Sequence, residues 1–327
     1  MPHSASSGET AAEEFAARCA RERSTAKTNK WRTVQGDVPQ WLFLARELEH
    51  LAHGSYWEKA GRGGLPDPAT EIVRYHQDLK EIGITLLLVP VPAKASIYPE
   101  KYQNASPPEA VTKNAPFYEI LRKGGVDVLD LEPLFATEIA KGAKLYCEQD
   151  SHWSPLACEL VAAKIHDQFK GETWATGSRK DIVRGPKETL SIKGDLVEER
   201  LKKIGMEKLD VVKVGTRAGA KIVAVNPDAT SPVILLGDSH ALVFSEDDDM
   251  HCTGSGLLDH LQQKFAMPLD LIANKASGGD QARVSLARKA HGDPDYLKGK
   301  KLLIWCFSAR EFTLGKWRKF PPIAGKR

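Results

Sequence analysis

One seven-residue segment decides the fold class of this chain: Ile234-Leu235-Leu236-Gly237-Asp238-Ser239-His240. Its apolar half is short and continuous, which is typical of a strand buried on both faces of a parallel sheet. The glycine permits a tight turn, and Ser239 then projects from the carboxyl end of the strand, where parallel sheets bind ligands. The segment predicts a serine nucleophile beside a helix start, whose free N–H groups would stabilise an oxyanion. The alternative is an ordinary strand-to-loop turn in which the serine is only an N-cap.

Further apolar segments predict strands, and amphipathic segments separate several of them. The predicted strands are residues 84–91, 126–130, 221–225, 233–236, 269–273 and 302–306. The predicted helices are residues 68–82, 156–169 and 281–291. In the first of these helices Ile72, Tyr75 and Leu79 share one face. Strands that alternate with helices indicate an α/β fold with a doubly wound, mostly parallel sheet and helices on both faces.

The length of the chain, 327 residues, allows a single large α/β domain with insertions. Residues 1–34 are polar and predict a weakly ordered tail. Residues 35–327 are predicted to form one catalytic domain, in which the charged and weakly patterned residues 171–220 are an insertion or small subdomain. No run of about eighteen apolar residues exists, so no transmembrane helix is expected. Residues 1–30 contain no apolar segment typical of a signal peptide.

The formal net charge is only +3, with acidic and basic residues interspersed. This argues against nucleic acid as the main partner, since phosphate binding needs a concentrated basic surface. Lys and Arg cluster in residues 21–32 and 316–327, and we interpret both clusters as solvated ends. The cysteines lack the CxxC spacing of zinc sites, and their odd number leaves the redox compartment open: Cys19, Cys147, Cys158, Cys252 and Cys306.

A second segment could supply what a serine nucleophile needs: Asp150-Ser151-His152-Trp153-Ser154-Pro155. A serine hydroxyl is a poor nucleophile until a base takes its proton, and a histidine does this best when a carboxylate holds its other ring nitrogen. Asp150 and His152 face one side if the segment is extended. Ser154 and Pro155 are typical of a helix start, so the pair would lie in a loop, where reactive groups collect. The alternative is a capping aspartate beside a partly buried histidine.

Other polar residues indicate a site less specifically. A glycine of Ser277-Gly278-Gly279-Asp280 could bring a backbone N–H toward a reacting carbonyl, and the alternative is a flexible loop. On a helix start His240 would point away from the nucleophile, so we interpret it as a bystander. His251 and His260 belong to no pattern. The acids of Asp247-Asp248-Asp249 point in divergent directions, which favours a solvated loop over a metal site.

A set of short segments follows in order along the chain: Trp41-Leu42-Phe43, Val89-Pro90-Val91-Pro92-Ala93-Lys94 with Tyr98-Pro99, Asp150-Ser151-His152-Trp153, Gly194-Asp195-Leu196, Leu236-Gly237-Asp238-Ser239, Gly278-Gly279 and residues 305–312. In this order they resemble the alginate O-acetyltransferase family of AlgJ/AlgX type, within the SGNH-hydrolase-like proteins. The resemblance runs from about residue 36 to residue 313. One departure is Pro39-Gln40, which stands where the family usually has a glycine before the tryptophan.

The resemblance implies an SGNH-hydrolase-like fold with a circularly permuted motif order, because the Asp/His pair precedes the serine. It implies an O-acetyltransferase that moves an acetyl group onto hydroxyls of an alginate-like exopolysaccharide. Ser239, His152 and Asp150 would form the catalytic triad, and no metal or diffusible cofactor would be needed. The oxyanion or substrate-binding residues would be Gly278, Gly279, Trp153 and Lys94.

The implied partners are a polysaccharide acceptor and an acetyl donor, which a membrane acetyl-transfer protein could supply. The family implies the bacterial periplasm, and the lack of a visible leader keeps the cytoplasm as the alternative. Two other functions fit the same residues. A carbohydrate acetyl-esterase would use the same triad with water as the acceptor, since the outcome depends on how well the site excludes water. A non-catalytic polysaccharide-binding protein could use the same scaffold.

Overall fold

The structure is a computed structural model that describes residues 7–58, 66–104, 111–176, 180–275, 278–319 and 323. Within these residues the helices are α1 (Ser7–Thr28), α2 (Ala45–Leu51), α3 (Pro68–Glu81), α4 (Lys94–Ile97), α5 (Pro99–Tyr102), α6 (Ala115–Lys123), α7 (Glu132–Ala140), α8 (Pro155–Phe169), α9 (Leu257–Phe265), α10 (Gly278–Gly292) and α11 (Glu311–Leu314). The strands are β1 (Thr33–Gln35), β2 (Leu42–Leu44), β3 (Thr85–Val91), β4 (Asp127–Val128), β5 (Val183–Ile192), β6 (Glu207–Ala218), β7 (Lys221–Val223), β8 (Val233–Gly237), β9 (Asp270–Ala273) and β10 (Leu302–Ser308).

The centre of the molecule is a sheet in the strand order β4-β3-β10-β8-β9, and every neighbouring pair in it is parallel. The late strand β10 lies in the middle, where its Trp305 stands opposite Leu88 of β3 and Leu236 of β8. The predicted parallel sheet is confirmed. Since all its strands point the same way, their carboxyl ends meet at one edge, which is where a site is expected.

Helices cover both faces of this sheet. Leu87 and Val89 of β3 belong to an apolar core that includes residues of α1, α2, α8 and α9. Leu86 and Leu88, which alternate with them, belong to a second core that includes residues of α3, α6 and α10. Burial on both faces explains why these strands are continuous apolar segments rather than alternating ones. The predicted arrangement with helices on both faces is therefore confirmed.

Helix α3 illustrates how local sequence sets one of these layers. Asp67 caps the helix by accepting the N–H of Thr70 over 2.8 Å, and a proline follows at the first helical position. The face predicted from the spacing, which carries Ile72, Tyr75 and Leu79, is buried in the second core. The three- and four-residue spacing thus identified the correct side of the helix.

The N-terminal segment differs from the weakly ordered tail expected over residues 1–34. From residue 7 onward it forms the long helix α1, and its Phe15, Cys19 and Ala26 are buried in the first core. Nη1 and Nη2 of Arg18 also donate to the two carboxylate oxygens of Asp37. The three buried residues lie on one helix face at intervals of four and seven, a narrow stripe that the polar average composition concealed. Residues 1–6 lie outside the described part of the chain.

The segment expected to be an insertion, residues 171–220, contributes β5 and β6 to a separate antiparallel sheet in the order β5-β6-β7. The strand expected at residues 221–225 was assigned to the wrong sheet. It forms β7, which pairs with β6 so that Ala218 stands opposite Lys221. The two-residue turn between them reverses the chain, and a strand joined by such a turn must pair antiparallel with the strand before it.

All five cysteines are buried and none forms a disulfide. Across the described ranges, no helix combines the length and the apolar character that crossing a bilayer requires.

Candidate active site

Ser239 lies just beyond the carboxyl end of β8, at the first position of a short 3₁₀ turn. Gly237 ends the strand where no side chain fits, because a Cβ atom there would lie 2.4 Å from the carbonyl oxygen of Cys306 on β10. Asp238 caps the turn by accepting one of its N–H groups. The turn is shorter than the helix expected from the sequence. It nevertheless leaves the N–H of Ser239 without a carbonyl partner inside the turn.

Asp150 and His152 lie in the loop between α7 and α8, residues 141–154, which we call the catalytic loop after the triad predicted from the sequence. Ser154 caps that helix by accepting the N–H of Ala157 over 3.3 Å, and Pro155 occupies the first helical position, as the sequence predicts. Oδ1 of Asp150 accepts both the backbone N–H of His152, over 3.0 Å, and its ring Nδ1, over 2.6 Å. A local Asx-type turn therefore sets the geometry of the pair.

The three residues predicted to form a triad are in contact. Nε2 of His152 lies 2.7 Å from Oγ of Ser239, while its Nδ1 lies 2.6 Å from Oδ1 of Asp150. An ionised carboxylate only accepts hydrogen bonds, so His152 donates from Nδ1 and presents the Nε2 lone pair to the hydroxyl. This is the arrangement in which a histidine can remove the proton of a serine.

Burial opposes charge on both members of the Asp150–His152 pair, yet each member stabilises the charged form of the other. Burial would raise the pKa of Asp150, but the charges and hydrogen bonds of His152 and His251 hold that pKa well below its usual range. Burial would lower the pKa of His152, but the carboxylate of Asp150 raises it above its ordinary value. The carboxylate is ionised at neutral pH and stabilises the imidazolium that forms when His152 takes a proton.

The second oxygen of Asp150 has two partners of its own. Oδ2 accepts the backbone N–H of Asp195 over 2.9 Å and lies 2.9 Å from Nε2 of His251. His251 carries no local sequence signal for this contact, because it stands 101 residues from Asp150 and belongs to no local pattern. The Gly194-Asp195-Leu196 segment, noted only as part of the resemblance, was the available signal for Asp195.

Gly194 allows the insertion to reach the catalytic loop. A Cβ atom at this position would lie 2.1 Å from the carbonyl oxygen of Gln149, so only glycine permits the approach. The carboxylate of Asp195 then accepts the N–H of Ser151 over 2.7 Å and its hydroxyl over 2.8 Å. The same carboxylate forms an ion pair with Arg32. Ser151 is thus engaged by Asp195, whereas Ser239 contacts the ring of His152.

Lys94, expected among the oxyanion or substrate-binding residues, does not reach the cleft. Its side chain is fully buried, and Nζ donates to the carbonyls of Cys147, Glu148 and Asp150 at 2.9, 3.2 and 2.7 Å. Burial lowers the pKa of Lys94. The expectation is corrected because the backbone carbonyls of the catalytic loop, rather than a ligand, take up all three donors of the ammonium group.

Trp153, also expected to bind substrate, is fully buried. Its Nε1–H donates to the carbonyl of His240 over 3.2 Å, and its ring packs edge-on against the imidazole of that residue. The large apolar ring belongs to the first core and fixes the catalytic loop against the turn of Ser239. Trp153 therefore supports the site from the core rather than contacting substrate, and the expected substrate-binding role is corrected.

Gly278 and Gly279 begin α10 and face Glu311 and Phe307, respectively. Neither glycine is among the described residues that line the cleft around Ser239, although Gly278 lines a neighbouring cavity. Ser277 lies outside the described residues. An oxyanion role for these glycines stays a prediction.

The turn of Ser239 repeats the tripeptide of the catalytic loop. Asp238-Ser239-His240 and Asp150-Ser151-His152 have the same sequence. In the turn, Oδ1 of Asp238 again accepts the backbone N–H and the ring Nδ1 of its histidine, over 2.9 and 3.0 Å. The two imidazoles touch, with ring centroids 4.9 Å apart. His240 is buried, and its Nε2 has no hydrogen-bond partner among the described residues.

An open cleft of about 780 Å³ lies over Ser239 and His152. Its walls are strongly cationic, because they include Arg23, Lys27, Lys30, Arg32, Arg46, Lys275 and Arg310 but only two acids, Asp195 and Asp249. The basic cluster of residues 21–32 was expected to be a solvated end. That expectation is corrected, since α1 and the segment after it bring four of these cations to the cleft. Of the C-terminal cluster, residues 320–322 and 324–327 lie outside the described residues.

Two clusters that contain acidic residues could suggest a metal site: Asp150, His152 and Asp195, and the run of residues 247–249. Asp150, His152 and Asp195 each place one polar atom within 4.8 Å of the others. The carboxylates of this group already accept hydrogen bonds from the N–H and O–H donors described above, so we interpret it as a hydrogen-bond network. In the acidic run of residues 247–249, Asp249 forms an exposed ion pair with Lys275 over 2.6 Å.

Comparison with known proteins gives consistent matches. Residues 34–309 match the family model described as "SGNH hydrolase-like domain, acetyltransferase AlgX". The chain is 27% identical over 159 residues to the probable alginate O-acetylase AlgJ of Pseudomonas syringae pv. tomato, and 27% identical over 160 residues to that of Pseudomonas aeruginosa. Each match covers 48% of this chain but only 38% of the relative, so the matched part spans well under half of those proteins.

Solved structures support the fold. The O-acetyltransferase domain of Pseudomonas putida AlgJ superposes with a TM-score of 0.61 at 19% identity, covering 86% of this chain and 92% of that domain. Pseudomonas aeruginosa AlgX superposes with a TM-score of 0.57 at 18% identity, covering 90% of this chain and 64% of AlgX. At such low identity these likenesses establish the architecture alone.

Proposed function

Since the chain belongs to the family of SGNH hydrolase-like, AlgX-type acetyltransferase domains, we propose that it moves acetyl groups onto hydroxyls of an anionic, alginate-like polysaccharide. The observation that carries this proposal is the unbroken chain of contacts from Asp150 through His152 to Ser239 at the floor of a cationic cleft. These contacts are those that nucleophilic acyl transfer requires.

In the first half of the reaction, His152 takes the hydroxyl proton of Ser239 as Oγ attacks the carbonyl carbon of an acetyl donor. The carbonyl oxygen becomes an oxyanion, and the N–H of Ser239 donates a hydrogen bond that stabilises it. An N–H of Gly278 or Gly279 would be the second donor to the oxyanion. When the oxyanion collapses, the bond to the donor's leaving oxygen breaks and His152 returns its proton to that oxygen. Ser239 is left as an acetyl ester.

In the second half, a sugar hydroxyl of the acceptor takes the place of the leaving group. His152 removes its proton while its oxygen attacks the acetyl ester, and the proton returns to Oγ of Ser239 as the acetyl group departs. Asp150 stabilises the imidazolium in both halves. No metal or diffusible cofactor takes part in these steps.

The cleft supports a large anionic acceptor. Its volume of about 780 Å³ is far larger than an acetyl group needs and is typical of sites that hold sizeable ligands. Seven cationic side chains against two acidic ones would attract carboxylates along a polymer. A carbohydrate acetyl-esterase would use the same triad with water as the acceptor. A purely binding protein would have no use for the aligned triad.

We extend the proposal to the setting of the reaction on the resemblance alone. The acetyl donor would come from a partner, for which a membrane acetyl-transfer protein is the candidate, and the compartment would be the bacterial periplasm.

The test uses a soluble acetyl ester as the donor, with and without oligouronate as the acceptor. We expect acetylated oligouronate by mass spectrometry, together with an acetyl group trapped on Ser239 after a brief donor pulse. Ser239→Ala should lower turnover by about 10³-fold or more, because the nucleophile is lost. Ser151→Ala is the matched control from the identical tripeptide and should retain most of the turnover.

Three outcomes would argue against the proposal in different ways. Ester turnover that releases only acetate in the presence of oligouronate would favour the esterase. Turnover that survives Ser239→Ala would indicate another nucleophile. Binding of oligouronate without any donor turnover would favour a polysaccharide-binding protein.

A further inference from the structure

Trp31 is the aromatic residue left most open to solvent in the described part of the chain. Its exposed fraction is 38%, whereas the other aromatic side chains described are buried or half-buried. It is also one of the residues that line the cleft over Ser239. Exposing a large apolar ring is unfavourable, and an exposed indole inside a cleft is typical of a ligand-binding surface.

The indole is held in place from behind. The guanidinium carbon of Arg200 lies 4.2 Å from the centroid of the Trp31 ring, a cation–π contact that covers one face. Arg200 is itself fixed by hydrogen bonds to the carboxylate of Glu198, at 3.1 Å, and to the carbonyl of Thr33, at 2.6 Å. The backbone N–H of Trp31 donates to Ala26 at the end of α1 over 2.8 Å. A platform fixed in this way loses little conformational freedom when a ligand binds.

Two cations close to Trp31 in sequence line the same cleft. Lys27 and Lys30 also line the cleft and are exposed, and neither forms an ion pair within the described ranges. Arg32 and Arg23, by contrast, are engaged by Asp195 and Glu49. Among the cleft cations that α1 and the segment after it contribute, the two lysines are therefore those that remain available to a carboxylate.

We propose that Trp31, with Lys27 and Lys30, forms a subsite that binds one uronate ring of the acceptor polymer. A pyranose ring has an apolar C–H face that can stack on an indole and a polar edge that carries hydroxyls and a carboxylate. The indole matches the apolar face, and the lysines match the carboxylate. The inference rests on the proposed function. It assigns to the N-terminal helix and the residues after it a role in holding the acceptor while Ser239 carries the acetyl group.

The binding test is made in the Ser239→Ala background, so that no chemistry intervenes, with an oligouronate of defined length as the probe. We expect Trp31→Ala to weaken binding about tenfold, in line with the loss of a central aromatic anchor. Trp31→Phe should weaken it less, because a smaller ring still stacks. Titration should quench the tryptophan fluorescence of the parent and quench that of Trp31→Phe far less, since the reporting indole is gone.

Leu156→Ala is the matched control, because Leu156 is similarly exposed at 40% but does not line the cleft. It should bind oligouronate as the parent does. A thermal melt establishes that each variant is folded. Equal affinity of Trp31→Ala and the parent would overturn the subsite, as would a parent that binds no oligouronate. Failure of acetyl-ester turnover in the wild type would instead count against the proposed function, and it leaves the binding result intact.

Discussion

At the scale of single residues, Asp150 holds two histidines from distant parts of the chain. Oδ1 contacts His152, which contacts Ser239, while Oδ2 contacts His251. A buried carboxylate with this many donors stays ionised, and its pKa lies well below the usual range. The position and the charge of this one group therefore govern the basicity of His152.

Asp150→Asn should change the pH–rate profile in a defined direction. His152 acts as a base only when neutral, so the rate rises with pH through the pKa of His152, which the carboxylate raises. Without the carboxylate that pKa falls, and the rising limb moves to lower pH. The plateau falls as well, because the imidazolium is no longer stabilised. In the serine-protease case the equivalent change lowers turnover by about 10⁴-fold, and we expect the same direction here.

The measurement is the rate on a soluble acetyl ester between acidic and alkaline pH, for the wild type and the variant. If both proteins show the same limb and the same plateau, His152 is not the base.

His251 is expected to act as a positioning residue for the pair. His251→Ala removes one donor from Oδ2 of Asp150, which leaves the carboxylate less well held and more basic toward His152. We expect turnover to fall about tenfold, near the value of one lost hydrogen bond to a charged group, and the rising limb to shift to higher pH. His251→Gln, whose amide can reach the same oxygen, should recover part of the rate.

A shift in the rising limb of the pH–rate profile distinguishes a positioning role of His251 from a purely structural role. A variant that loses rate with an unshifted limb, and that glutamine does not rescue, would contradict the inference.

At the scale of elements, the start of α4 holds the catalytic loop through Lys94. The ammonium group donates to three loop carbonyls, and its charge lies 5.3 Å from the ring centroid of Phe43. Glu207 of β6 holds the same loop by accepting the N–H groups of Glu148 and Gln149. The loop is therefore held by α4, which follows β3 of the central sheet, and by β6 of the insertion.

Lys94→Met should lower both stability and turnover while leaving affinity for the acceptor largely unchanged. The variant keeps the apolar stem but leaves buried carbonyls unpaired, which we expect to lower the free energy of unfolding by about 2–4 kcal/mol. The loop then holds Asp150 less firmly, so kcat falls more than KM rises. Urea unfolding and steady-state kinetics on the acceptor test this. A large rise in KM with unchanged stability would restore the substrate-binding role expected from the sequence.

At the scale of the whole molecule, buried histidines link stability to pH. Burial lowers the pKa of His50 on α2 to about 3, and it lowers that of His260 on α9 to about 4. In the unfolded chain a histidine takes up a proton near pH 6.5. The unfolded state therefore binds more protons below that pH, and the free energy of unfolding falls as the pH drops from about 6.5 toward the folded-state pKa.

His50→Gln should weaken this dependence. The variant has no proton to bind at this position in either state, so its unfolding free energy should fall less steeply below pH 6.5, by up to about 1.4 kcal/mol per pH unit. Urea unfolding of both proteins at pH 7 and pH 5 measures the difference. Parallel curves would indicate that His50 is protonated in the folded protein.

The sequence by itself determined the elements whose signals are local. Continuous apolar segments such as residues 84–91 and 302–306 identified strands of the parallel sheet, because burial on both faces leaves no polar position in a strand. The N-cap at Ser154 and the turn after Gly237 were equally local. These signals also placed Ser239, Asp150 and His152 in turns and loops, since each signal spans only a few neighbouring residues.

Only the tertiary structure decided which serine of the two Asp-Ser-His tripeptides contacts which histidine. Their sequences and local hydrogen bonds are the same, so local chemistry cannot distinguish them. Their surroundings differ. Ser151 donates to Asp195, whereas Ser239 meets the ring of His152. The tertiary structure also decided the surroundings of His251, Lys94 and the cations of α1, because the residues around them lie far away along the chain. Such contacts exist only once the sheet, the insertion and the N-terminal helix have packed together, because folding alone brings residues distant in sequence within hydrogen-bonding reach.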